Sequence, residues 1–192
     1  AIATSYNNIA GVFISKGNAK KSISYSREAL QQFDHLYEGE NTNRARSLNN
    51  LGDAYRLQRK YSQALEHYTT ALKELKKIYK HPQTDLAATY NNIGVTYERS
   101  GNSKKAFAYC KESLKLRLKL HKFPHPEIAN CYHNLAYITK SLKYYNKAEY
   151  YFRKALKEYL QLYGKKKKNM KEQRNIRECK KNLAEIAKRK NR

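Results

Sequence analysis

The chain has 192 residues, 40% of them hydrophobic, which is enough apolar material for one buried domain or a short repeat array and excludes wholesale disorder. A formal net charge of +24, with 18 Tyr and no Trp, implies attraction to anionic partners and a core whose aromatic packing rests on Tyr. Only 7 Gly and 3 Pro favour long helices over a strand-and-turn fold. No apolar run reaches membrane length, and three Cys without a CxxC pairing (Cys110, Cys131, Cys179) point to a reducing, cytoplasmic compartment.

From its first residues the chain repeats itself. Tyr6 to Phe13 reads YNNIAGVF, Leu48 to Tyr55 LNNLGDAY, Tyr90 to Tyr97 YNNIGVTY and Tyr132 to Thr139 YHNLAYIT. Asn8, Asn50, Asn92 and Asn134 therefore stand 42 residues apart. The second half of the unit keeps the same step: Ala29-Leu30, Ala71-Leu72, Ser113-Leu114 and Ala155-Leu156 align, as do Gly17, Arg59, Gly101 and Lys143. Four units follow, 1–41, 42–83, 84–125 and 126–164, the first cut at its start. Ala1 takes the position of Glu127, just inside a helix, so the sequence reads as part of a longer polypeptide.

Each unit reads as two helices. Leu48, Leu51, Gly52 and Tyr55 follow i, i+3, i+4, i+7; Tyr61, Ala64, Leu65, Tyr68, Ala71, Leu72, Leu75 and Ile78 continue that rhythm in the second helix. Thr42 and Thr84 stand where first helices should start, as N-caps, and Pro126 after His125 as an N1 proline. Gly17 and Gly101 supply the left-handed residue that stops the first helix. Arg59 and Lys143 hold that place in units two and four, so those turns are expected to be strained or built differently. In the tail, residues 165–192, Ile176 to Lys188 (IRECKKNLAEIAK) matches Ile128 to Lys140 (IANCYHNLAYITK) at a step of 48. The expectation is a basic loop containing Lys165 to Lys168, then a fifth first-type helix that caps the array.

This pattern resembles the tetratricopeptide repeat, with the family's positions filled by Leu48, Leu51-Gly52, Tyr55, Ala64, Tyr68 and Ala71. The usual unit is about 34 residues. The longer unit, with its NNxG/A string and the HPEIANCYHNLA entry to a first helix, is similar to the kinesin light chain and nephrocystin-3-like type. The resemblance implies an all-α, right-handed solenoid of antiparallel helix pairs whose first helices line a concave groove. It implies that the groove is lined by Asn8, Asn50, Asn92 and Asn134, then Asn7, Asn49, Asn91 and His133, with Thr4, Arg46, Ala88 and Asn130 near the helix starts. Further along come Asp53, Val95 and Tyr137, followed by Arg56, Glu98, Lys140, Arg99 and Ser141.

A ladder of side-chain amides offers donors and acceptors to the main chain of an extended peptide. Arg46, Arg56, Arg99 and Lys140 add cations for acidic side chains, which makes an acidic peptide the expected ligand. The alternative for the same asparagines is repeat-to-repeat hydrogen bonds that set stacking without any ligand. The runner-up function is a basic spacer or regulatory module contacting nucleic acid or anionic membrane, although the tail has no aromatic after Tyr163 to interleave with its cations. His121, His125, Cys131 and His133 match no common zinc spacing, and Pro124 and Pro126 explain that segment as a turn. No nucleophile, base or phosphate-loop pattern is present, so neither an enzyme nor a cofactor is expected.

Overall fold

The computed structural model of the chain describes residues 2–36, 41–163 and 170–190, with the side chains of the last stretch described from 174 to 189. Among the described residues there are nine α-helices and no strand. They are α1 (Ile2–Ser15), α2 (Ala19–Leu36), α3 (Thr42–Leu57), α4 (Tyr61–Ile78), α5 (Thr84–Arg99), α6 (Ser103–Leu120), α7 (Pro126–Ser141), α8 (Tyr145–Tyr163) and α9 (Met170–Lys190). First helices begin at 42, 84 and 126 and second helices at 61, 103 and 145, so the step of the sequence is the step of the structure. Each first helix packs on its own second helix, each second helix on the next first helix, and α1, α3, α5 and α7 touch in succession. The result is a right-handed α-solenoid with its first helices along the inner face. The helix α9 packs on α8 as α7 packs on α6. The basic run Lys165 to Lys168, and Ala1, lie outside the described residues.

Helix starts correct one expectation. The N-caps are Asn41, Gln83 and His125, each in extended backbone, and Thr42, Thr84 and Pro126 follow at N1. Asn41 Oδ1 accepts from the N–H of Asn43, and His125 Nδ1 from the N–H of Glu127. Asn41 has taken the capping role given to Thr42, and His125 caps ahead of Pro126 at its expected N1 place, whereas Gln83 makes no side-chain cap bond.

The turns inside the units decide between strain and a different build in favour of strain. Gly17, Arg59, Gly101 and Lys143 all have φ between 59° and 86°. All four turns carry the same pair of bonds: the N–H of Asn18, Lys60, Asn102 and Tyr144 reaches the carbonyl five residues back, and the residue before it reaches three back. This is the Schellman closure in every unit. Arg59 and Lys143 do not build a different turn. They adopt glycine's conformation and carry its cost, of order 1–2 kcal/mol each.

The core runs as buried clusters along the helix pairs. Tyr68, Leu75, Ile93, Leu135, Ile138, Phe152 and Tyr159 are fully or almost fully buried. First and second helices meet closely at Gly52 and Gly94. A Cβ at Gly52 would stand 2.5 Å from the Tyr68 ring, and one at Gly94 would strike Cys110 Sγ. The three cysteines are buried and unpaired, and burial pushes the Cys110 and Cys179 thiols up to about 12. They act as small hydrophobes.

Gly52→Ala should therefore lower unfolding free energy by about 1–3 kcal/mol through overpacking against Tyr68. Gly11→Ala, where a Cβ meets nothing within 4 Å, should raise it by about 0.5–1 kcal/mol. Arg59→Gly should raise it by about 1 kcal/mol. Urea titration followed by circular dichroism checks all three signs.

Candidate functional site

The asparagines of the inner face do more between units than toward an open groove. Asn7 is 2% exposed. Its Nδ2 donates to the carbonyl of Asn43, its Oδ1 accepts from Ser47 Oγ at 2.7 Å, and its own carbonyl accepts from Asn50 Nδ2. One unit later Asn49 Nδ2 donates to Thr89 Oγ1 at 2.8 Å. In the next junction Asn134 Nδ2 donates to Asn91 Oδ1 at 2.9 Å. In the last, Asn182 Nδ2 donates to Tyr137 Oη while Asn182 Oδ1 accepts from Lys140 Nζ. The second asparagine thus reaches backward, and Asn8, on the first described helix, is exposed.

Asn92 is the exception. It is half-buried, and its side-chain amide bonds to no described residue. The rung matching Asn134 to Asn91 would run from Asn92 to Asn49 Oδ1, and that oxygen is buried without a partner. Thr89 has turned the Asn49 amide toward itself, leaving one donor and one acceptor unmatched in the middle of the array.

The expected cations divide in two. Arg56 is tied to Asp53 at 2.5 Å and to Tyr68 Oη, and Lys140 to Glu185 at 2.7 Å. These ties hold the Arg56 guanidinium protonated despite burial and keep the Glu185 carboxyl below its usual range. Arg46 and Arg99 are exposed and pair with no carboxylate of the described residues. Asn130 is exposed, and its Oδ1 accepts from Tyr159 Oη.

A cavity of about 380 Å³ opens between α5 and α7, lined by Val95, Glu98, Arg99, His133, Asn134, Tyr137, Ile138 and Ser141. Glu98 Oε1 accepts from Ser141 Oγ at 2.6 Å, and its Oε2 is buried with no partner. The His133 ring stands edge-on to Tyr137 at 4.9 Å and to Phe152 and Tyr159 at about 6 Å. Burial lowers its pKa, against the Glu178 carboxylate 3.7 Å away, which pulls it up. The cavity offers a cation, an aromatic wall and a carboxylate short of one donor.

Glu178 and Glu185 of α9 are the residues that sequence reasoning missed. At the step of 48 they occupy the places of Asn130 and Tyr137, both already read as groove positions, so their charges were open to reading.

The spacing argument against a metal also needs amending. The structure does gather His121, His125 and Glu127, with ligand atoms within 4.8 Å. Their geometry does not fit an ion. The two imidazoles are stacked at 3.7 Å and 7°, and an ion in the plane of one ring lies far out of the plane of the other. His125 Nδ1 is taken by the cap bond, and Arg117 reaches both the carboxylate and the carbonyl of Glu127. Cys131 and His133 are not part of the cluster.

A tetratricopeptide repeat family model matches residues 1–77 and 85–161, and the chain belongs to that family. No curated protein matches it in sequence. Among solved structures, BtubC (BKLC) from P. vanneervenii superposes with a TM-score of 0.81 at 21% identity, covering 93% of this chain and 69% of that one. A kinesin light chain-type protein of Podosopora anserina with nearly identical TPR-like repeats gives 0.76 at 13%, covering 97% and 95%. A Rap protein complexed with Competence and Sporulation Factor gives 0.70 at 22%, covering 81% of this chain and 42% of that one.

The lowered pKa of His133 sets a pH dependence. Above about pH 7 neither folded nor unfolded chain holds the proton, and the residue contributes nothing. As pH falls below about 6.5 the unfolded chain protonates first, so stability falls. His133→Asn, the residue of units one to three, should flatten the decline between pH 7 and 5 in urea midpoints. An unchanged slope would show that His133 does not carry it.

Proposed function

We propose that the chain is a protein-interaction scaffold whose inner face binds an extended segment of a partner protein, centred on the α5–α7 cavity. The observation that carries this reading is a pair of unmatched groups on α5: Arg99, exposed at the cavity, and the half-buried Asn92 amide about two turns back. Arg99, with Arg46, meets acidic side chains of the ligand. Asn92 bonds the peptide backbone as both donor and acceptor. Asn50 and Asn134 support the groove through stacking, while His133 and Tyr137 form its wall. Binding by this fold has a precedent in the Rap protein solved with Competence and Sporulation Factor. The role is recognition without catalysis, in a cytoplasmic setting.

An array of extended peptides graded in acidic content, followed by calorimetry on the best binders, tests the proposal. Arg99→Glu should weaken an acidic peptide by roughly 10–100-fold, as expected for loss of a charged hydrogen bond, and Asn92→Ala by roughly 5–10-fold. Binding that ignores both changes, is shared by heparin and falls steeply with salt would replace the groove with general polyanion attraction.

A further inference from the structure

The helix α9 is a first-type helix, and the residues it would turn toward a second helix are open. In α7 that face is Tyr132, Leu135, Ala136 and Thr139, all buried in the pair with α8. At the step of 48 the same places in α9 are Lys180, Leu183, Ala184 and Ala187. Leu183 is half-buried, and Lys180, Ala184 and Ala187 are exposed. Ala184 takes the position of Gly52 and Gly94, where second helices come closest in units two and three. On the α8 side, Leu156 is half-buried, whereas its equivalents Leu72 and Leu114 are 6% and 8% exposed. Between them runs an apolar cavity of about 740 Å³, lined by Arg153, Leu156, Lys157, Leu160 and Gln161 of α8 and Leu183 of α9.

We infer that this groove is a second docking site, separate from the inner face, which takes an acidic amphipathic helix of a partner protein. Its shape is the seat that α4, α6 and α8 fill in their own units, and a helix laid in a groove is the matching recognition mode. Ala184 and Ala187 admit a close approach, and Leu156, Leu160 and Leu183 supply the apolar floor.

The charge of the occupant follows from the rim. Lys157 and Lys180 are exposed beside the floor, and Arg177 and Lys188 follow along the same side of α9. The acidic residues Glu178 and Glu185 face the other way, Glu178 toward His133 and tied to Arg174, Glu185 tied to Lys140. Glu149, where α6 has Phe107, is already paired with Arg153 at 2.7 Å. A second copy of a chain carrying +24 is opposed by that same rim, whereas an acidic helix is drawn to it.

The probe is a fluorescein-labelled peptide of the α4 sequence, Tyr61 to Ile78, carrying Lys73→Glu, Lys76→Glu and Lys77→Glu. It keeps the apolar stripe that seats α4 and replaces its lysines with acid. Fluorescence anisotropy with the full chain should show saturable binding. The Ala184→Glu, Ala187→Glu double variant changes only exposed positions, so its helical content should match the parent's by circular dichroism, and it should weaken binding by at least tenfold. Arg99→Glu should leave this binding within twofold, which separates it from the inner-face proposal. Binding unchanged in the double variant, or the unsubstituted α4 peptide binding as tightly, would overturn the inference. So would a dimer in sedimentation that the double variant dissolves, since a second copy would then be the occupant.

Discussion

Asn7 is buried between α1 and α3 with every polar atom of its amide engaged across the junction. An amide placed there must find partners, because a buried donor or acceptor left unmatched costs about 1–3 kcal/mol. That requirement fixes the axial register of one unit on the next. A slip by one helical residue would rotate the amide away from Asn43 and Ser47 and leave it stranded. The helix pairs supply the apolar burial, and the asparagines determine which stacking is counted as native.

The residue opposite the first asparagine decides how each junction is closed. Ser47 donates its hydroxyl to Asn7, and Thr89 accepts from Asn49. At the equivalent place in unit four stands Cys131, with no hydroxyl, and Asn91 is satisfied instead by Asn134. These three solutions at one position leave the middle junction with an unmatched amide at Asn92 and an unmatched oxygen on Asn49. A single neighbouring hydroxyl thus sets which of these amides are matched across the junction and which are left over.

The repeat, the helix pairs and the capping helix were legible because periodicity needs only apolar spacing, and four copies reinforce it. The Schellman turn at Arg59 and Lys143 was not, since propensity argues against a left-handed Arg or Lys and the packing of the pair overrides it. The inner-face positions were legible, but not which of their groups are left unbonded. Whether Arg56 is available depends on Asp53 and Tyr68, and whether Lys140 is available depends on Glu185, 45 residues further along. Sequence spacing places such residues on a face, and only three-dimensional pairing says which of them remain unsatisfied.

The account turns on Asn134 holding units three and four together while the Asn92 amide bonds nothing among the described residues. Amide hydrogen exchange across the chain, in Asn134→Ala and Asn92→Ala, tests it directly. The account predicts faster exchange in α5 and α7 for Asn134→Ala and parent-like exchange for Asn92→Ala. Equal loosening by the two variants, or none from Asn134→Ala, would contradict it.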